Sequence, residues 1–153
     1  MRVKVFLINV FIFAASAAAS NAYAANLRHG AKNIPVTKDE KEFVHSLQVA
    51  FKKNDCNWVA NRVLYPIRVE STENGFIQIK TASKFVQDCS EILSDNVRQA
   101  VLHADIEKLI KSSKGIYLGD GDIWLMSLSR KESDPIKVYI VGINNRVDQQ
   151  NKE

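Results

Sequence analysis

The stretch "DIWLMSL", Asp122 to Leu128, most limits what this chain can fold into. Successive side chains of an extended chain point to opposite faces, so Ile123 and Leu125 fall on one side and Trp124, Met126 and Leu128 on the other. Both sides are apolar. Such a strand needs cover on both faces, which predicts a central place in a sheet. "IKVYIVGI", Ile136 to Ile143, behaves alike, with Ile136, Val138 and Ile140 against Tyr139, Val141 and Ile143. Helices supply one cover. The other is a curled sheet wall, a ligand or a partner.

A third strand is expected near Ile116 to Leu118, just upstream. Earlier, "IRVES" sets Ile67 and Val69 against Arg68 and Glu70, and after turn-like "TENG" the run "FIQIK" places Ile77 and Ile79 inward. This pair reads as a hairpin.

The remaining periodic stretches are helical. "TKDE" places Glu40 three residues after Thr37, a capping box. Behind it Phe43, Leu47, Ala50 and Phe51 recur at helical spacing, with Val44 beside them. Asp55 caps a shorter helix with Trp58, Val59 and Val63 as its buried candidates, and Tyr65-Pro66 ends it, since a residue before proline avoids the helical region. The long middle, Thr81 to Gly115, carries Phe85, Cys89 and Ile92 on one face, then a break and fresh cap at Ser94-Asp95. Beyond it Val97, Val101 and Ala104 form one stripe and Leu102, Ile106, Leu109 and Ile110 another. Two stripes mean a helix buried on two sides or another break near Asp105. Gly115 is placed to terminate the helix. The expected fold is α+β: a curved, mostly antiparallel sheet of about five strands on N-terminal and central helices.

"LGDGDI" bears on chemistry. Gly119, Asp120 and Gly121 lack the Gly-Lys-Ser/Thr and following helix of a phosphate loop. They also lack the spaced carboxylates and bidentate glutamate of a calcium loop, because Glu132 lies beyond a strand. Asp-Gly between two alternating apolar runs predicts a hairpin turn.

The ends set compartment and size. Arg2 and Lys4 precede the uncharged run Val5 to Ala19, and Ala22-Tyr23-Ala24 supplies small residues for a peptidase. This is the anatomy of a secretory signal over residues 1–24, cleaved after Ala24. The alternative is an uncleaved anchor, although the run is short against the roughly 18 apolar residues a span needs. Of 153 residues, less 24, the remaining 129 suit one domain. We divide them into an arm at 25–36, a domain at 37–146 and a polar tail at 147–153. Loss of Arg2 and Lys4 lowers the formal charge from +4 by two to +2. Lys108, Lys111 and Lys114 make the only basic stripe, in and just past a helix's last turn, where cations complement the dipole. Nucleic-acid binding is therefore not expected, nor any membrane contact after cleavage. Localisation is periplasmic or secreted.

Cys56 and Cys89 are the only cysteines, and an even count in an exported chain predicts one disulfide. Two free buried thiols are the alternative. His29, His45 and His103 show no metal-ligand spacing, so no metal or other cofactor is expected.

The element order, with "NWVANRVLYPIRV" leading into the first strand and "GIYLGDGDIWLMSLS" forming the later hairpin, resembles the nuclear transport factor 2-like superfamily. The resemblance spans about Thr37 to Arg146. It implies an α+β cone with a pocket at its wide end. It also implies a range of roles, from isomerases and dehydratases to binding modules and some bacterial immunity proteins. Isomerase-like members use an inward carboxylate with a nearby tyrosine. The inward positions of the first hairpin are Ile67, Val69, Ile77 and Ile79, and the central strand offers Ile123, Leu125 and Trp124; no carboxylate is among them, so no catalytic residue carries over. No GxSxG is present for a serine hydrolase. His103 lacks an orienting partner and reads as partly exposed or satisfied. Tyr65, His103, Tyr117, Trp124 and Tyr139 are the candidate pocket or interface residues, with a simple core role for the aromatics as the alternative.

Three roles follow as expectations. The first is an exported binding protein without enzymatic activity that neutralises a protein partner such as a toxin or cell-wall enzyme. The second is a small-ligand carrier or isomerase-like enzyme using the cone pocket. The third is a homodimer through the sheet face, compatible with either.

Overall fold

The computed structural model describes residues 34–71 and 75–145. The expected signal sequence at 1–24, the start of the arm and the tail at 147–153 lie outside the described residues. Among the described residues no helix is long and apolar enough to cross a membrane.

The chain runs α1 (Lys38–Lys52), α2 (Cys56–Ala60), β1 (Ile67–Ser71), β2 (Gly75–Ile79), α3 (Ala82–Gln87), α4 (Cys89–Ile92), α5 (Asp95–Leu102), a 3-10 turn at Ile106–Lys108, β3 (Lys111–Ser112), β4 (Gly115–Leu118), β5 (Ile123–Leu128) and β6 (Lys137–Asn144). The fold is α+β, with one open six-stranded sheet in the order β2-β1-β6-β5-β4-β3. All neighbours are antiparallel except β1 and β6, which pair in parallel. As the two-faced apolar pattern predicts, β5 and β6 are central.

Thr37 caps α1 in the expected box, its hydroxyl accepting from Glu40 N–H while Glu40 accepts from Thr37 N–H. Asp55 caps α2 by accepting from Trp58 N–H at 2.9 Å. Helix α2 stops at Ala60, ahead of Tyr65-Pro66, because the chain here joins the sheet: Ile140 N–H donates to Arg62 carbonyl and Leu64 N–H to Ile140 carbonyl, both at 2.9 Å. The core lies between the helices and one face of the sheet. Val44, Leu47 and Phe51 of α1, Phe85, Ile92, Val97 and Val101 meet Ile67, Val69, Ile116, Ile123, Leu125, Ile140 and Ile143 there. On the opposite face Trp124, Met126 and Leu128 are half-buried, and a bulge between Trp124 and Leu125 breaks the β5–β6 register. Bulges of this kind bend the strand and increase local twist.

Cys56 and Cys89 form a disulfide, Cα to Cα 6.1 Å, tying the start of α2 to the start of α4. The pairing is compatible with an extracytoplasmic protein.

Several expectations are corrected. Of the two alternatives for the second apolar stripe, the break near Asp105 is the one found: Leu102 ends α5, Ile106 opens the 3-10 turn, and Leu109 and Ile110 follow it. Helix α5 ends at Leu102 because Gln48 of α1 donates to the carbonyls of Val101 (3.0 Å) and Ala104 (2.9 Å), capping it from across the core. Reciprocally, Arg98 of α5 donates to the Phe51 carbonyl at the end of α1 (3.0 Å). Past this end, Asp105 caps the 3-10 turn and the chain forms β3, so Gly115 opens β4 instead of closing a helix. With the short β3, the sheet of about five strands has six. The lysine stripe dissolves: Lys108 pairs with Asp105, Lys111 with Glu40, and Lys114 sits in the β3–β4 turn. Ile77 is not inward in effect; β2 is an edge strand, and only Ile79, opposite buried Ile67, reaches the core. Ile34 and Val36 of the arm dock, the first donating to the Lys111 carbonyl and the second packing on the core. At the other end Asn145 is buried and donates to the Glu91 carbonyl (2.8 Å).

Candidate functional site

A groove of about 1030 Å³ opens between the N-terminal half of α1, α2 and the ends of β5 and β6 that flank the 129–136 loop. Its innermost group is Glu40, only 2 % exposed. The capping box fixes this carboxylate at the first turn of α1, and the sheet supplies the rest of its partners. Oε2 accepts from Thr37 N–H at 2.9 Å and Lys111 Nζ at 3.0 Å, while Oε1 accepts from Lys111 Nζ at 2.7 Å and Ser127 Oγ at 2.5 Å. Burial by itself would push the Glu40 carboxyl up. Hydrogen bonds from Lys111, Ser127 and Thr37, with the Lys111 charge, outweigh it and hold the pKa below the usual carboxylate value. With both oxygens engaged in four contacts from three donor groups, Glu40 is a poor general base and has no proton to give.

The walls are aromatic and charged. Phe43 and Trp58 pack with ring centroids 5.9 Å apart and tilted by 45°. The Arg62 guanidinium lies 3.7 Å over the Trp58 ring and donates to the Trp58 carbonyl at 3.2 Å. Across the groove Arg130 stands 4.9 Å from the Tyr139 ring, beside exposed Ile136 and Lys137. Asp39 and Glu42 line the α1 side. The rim is therefore acidic along α1 and basic at Arg62, just past α2, and at the β5–β6 end. A planar guanidinium stacked on an aromatic ring keeps its edge donors for an incoming acceptor.

Of the five candidates from the sequence, Tyr139 alone lines this groove. Tyr65 is in the α2–β1 connection, where its hydroxyl donates to the Ala60 carbonyl at 2.9 Å and burial pushes its phenol up to about 12. His103 is exposed at the C-cap of α5, outside the groove. Tyr117 and Trp124 face away from the helices, edge to face with centroids 4.7 Å apart. Tyr117 and Ser112 hydroxyls lie 3.2 Å apart, and Trp124 Nε1 donates to the Gly121 carbonyl at 3.0 Å. Gly119, Asp120 and Gly121 connect β4 to β5, with positive φ at both glycines. Asp122 turns inward on the loop and accepts from Asp120 N–H at 3.2 Å, and Asn144 Nδ2 donates to the Gly121 carbonyl at 2.6 Å. Among the described residues no group of three His, Cys, Asp or Glu could hold a metal ion.

The groove residues absent from the sequence expectations are Glu40 in its second role, Arg62, Lys111, Ser127 and Arg130. One signal was available. Ser127 shares the parity of Ile123 and Leu125, and a hydroxyl on the core-facing side of a central strand requires a polar partner inside. No protein-family profile matches this chain, and no curated protein or solved structure matches it.

Proposed function

We propose that this is an exported binding protein that acts by non-covalent contact, with the groove between α1, α2 and the β5–β6 end as its contact surface and a toxin or cell-wall enzyme as the kind of partner it neutralises. The observation that carries this reading is the combination of a large open groove, walled by Trp58, Phe43, Tyr139 and two ring-stacked arginines, with an innermost carboxylate locked in a structural ion pair. Aromatic and arginine side chains are the residues that most often carry binding energy at protein interfaces. Export is supported by the signal anatomy of residues 1–24 and by the Cys56–Cys89 bond. We also propose membership of the nuclear transport factor 2-like superfamily, supported by helices packed on one face of an open, bulged sheet.

The test is a pull-down from periplasmic extract with the wild type beside Trp58→Ala and Arg62→Ala, followed by activity assays on the captured protein. The proposal expects one stoichiometric exported enzyme or toxin, inhibited by the wild type and released by both variants. Capture unaffected by the variants would remove the groove from the contact. Capture of nothing would remove the partner.

A second reading is a small-ligand carrier, favoured by the groove's volume, well above the roughly 300 Å³ at which ligand pockets begin. A ligand that raises the melting temperature of the wild type but not of Trp58→Ala would select it.

A further inference from the structure

The two edges of the sheet are unlike. On one side β3 is two residues long, Lys111 and Lys114 sit in or beside it, and Ile34 N–H already donates to the Lys111 carbonyl at 3.3 Å. Short length, lysines and a covering segment are how proteins blunt a sheet edge. On the other side β2 is longer, has only Lys80 beside it, and among the described residues has no covering segment. It runs five residues, Gly75–Ile79, without proline or charge, in unbroken register with β1 from Ile67↔Ile79 to Ser71↔Gly75. Among the described residues nothing pairs with its outer side. Four large apolar side chains are exposed among those residues, and two of them, Phe76 at 52 % and Ile77 at 41 %, are neighbours on this strand, one on each face.

We propose that β2 is a self-association strand, and that its occupant is a second copy of this chain, paired antiparallel β2 to β2 about a two-fold axis through Ile77. The strand's own sequence argues for that occupant. The two-fold register sets Ile77 opposite Ile77 of the second copy, Phe76 opposite Gln78 and Gly75 opposite Ile79. It opposes no like charges, and it covers both exposed apolar neighbours at once. On the outer face Phe76 already lies under the Arg68 guanidinium, 3.1 Å from the ring centroid, so its ring is held at the edge where the second copy arrives. The pairing uses the same patch on both chains and therefore closes at a dimer. The unpaired N–H and C=O groups of each edge satisfy one another, as in strand addition by a peptide. This surface is separate from the groove, so the dimer leaves both grooves open to a partner.

The test is sedimentation equilibrium across a concentration series on protein produced from the full chain, wild type beside Ile77→Lys, with hydrogen exchange over residues 75–79. Ile77 is exposed, so the substitution leaves the core intact, and circular dichroism checks this. We expect a concentration-dependent dimer whose amides at 75–79 gain protection as it forms. In Ile77→Lys, two lysines face each other in place of an apolar pair, and the dissociation constant rises by about tenfold or more. A wild type that stays monomeric at its highest soluble concentration overturns the proposal. So does a dimer that Ile77→Lys does not weaken, or one that leaves the amides of 75–79 unprotected. Protection of that segment only on adding another protein would assign β2 to a different partner and equally overturn the homodimer.

Discussion

Replacing Glu40 with alanine tests the structural centre of the groove. The substitution strips Lys111 of its counter-ion, and with a side chain only 17 % exposed Lys111 has little water to turn to. It also removes the acceptors of Thr37 N–H and Ser127 Oγ. Breaking a buried pair from one side costs about 3–5 kcal/mol. Lys111 borders an open groove and can lift its ammonium toward it, which favours the lower end, about 3 kcal/mol. Against a total stability of roughly 5–15 kcal/mol this is a large fraction. With a urea slope of about 2 kcal/mol/M it lowers the unfolding midpoint by about 1.5 M at unchanged slope. Glu40→Gln keeps the shape and the capping acceptor but not the charge, and falls between. In a cycle with Lys111→Met the double variant is less destabilised than the two single effects predict, by about 1–3 kcal/mol, because it leaves no buried charge. The pH dependence has a fixed sign. The folded carboxyl has a lowered pKa, so the unfolded chain binds its proton more readily. The contribution is complete above the ordinary carboxylate range, about pH 4.3, and is lost as pH falls through the folded value. Glu40→Gln should therefore show a shallower acid limb in midpoint against pH. Additive effects in the cycle, or a Glu40→Ala cost under about 1 kcal/mol, would refute the coupled ion pair.

Three further outcomes are expected. Replacing Cys56 and Cys89 by alanine together opens a link between residues 33 apart and lowers stability by about 3–4 kcal/mol in the chain-entropy account, read from urea unfolding. Gly115→Ala would bring a Cβ to 2.1 Å from the Leu125 carbonyl oxygen at φ +113, so it destabilises by more than about 2 kcal/mol, whereas Gly75→Ala, with nothing within 4 Å, costs only the left-handed backbone term of about 1 kcal/mol. In an ultraviolet titration a phenol step is expected at about 12, and Tyr65→Phe removes it; a step that survives the substitution would place the buried phenol elsewhere.

Much of the fold was legible because its signals are local. The Thr37–Glu40 spacing, the Asp55 cap, the alternation of β1 and the two apolar faces of β5 each depend on residues a few positions apart, and each element formed where its pattern lay. The break near Asp105 was legible only as one of two alternatives. The residues from Leu102 to Ile110 keep a helical stripe, and what ends α5 is Gln48, 53 and 56 residues away from the carbonyls it caps. Tyr65, His103, Tyr117 and Trp124 were candidate pocket or interface residues for being aromatic or titratable, and none of them lines the groove, because a side chain's type does not say where the folded chain will place it. Parity did carry information at Ser127, where a polar residue breaks an apolar face.

By itself the sequence determined the α+β class, the capped α1, the central β5 and β6, the hairpin of β1 and β2, and the pairing partners for the only two cysteines. All of these follow from period, caps and composition, which act over short stretches of chain or admit a single solution. The tertiary structure decided the rest: where α5 stops, the existence of β3, which edge of the sheet is unpaired among the described residues, and the groove itself. Glu40 shows the physical reason. Its capping bond spans three residues and is written in the sequence, but its bonds to Lys111 and Ser127 span 71 and 87. Those bonds come into being only when the helix docks on the sheet, since only there does a buried carboxylate require a cation and a hydroxyl to offset its lost water.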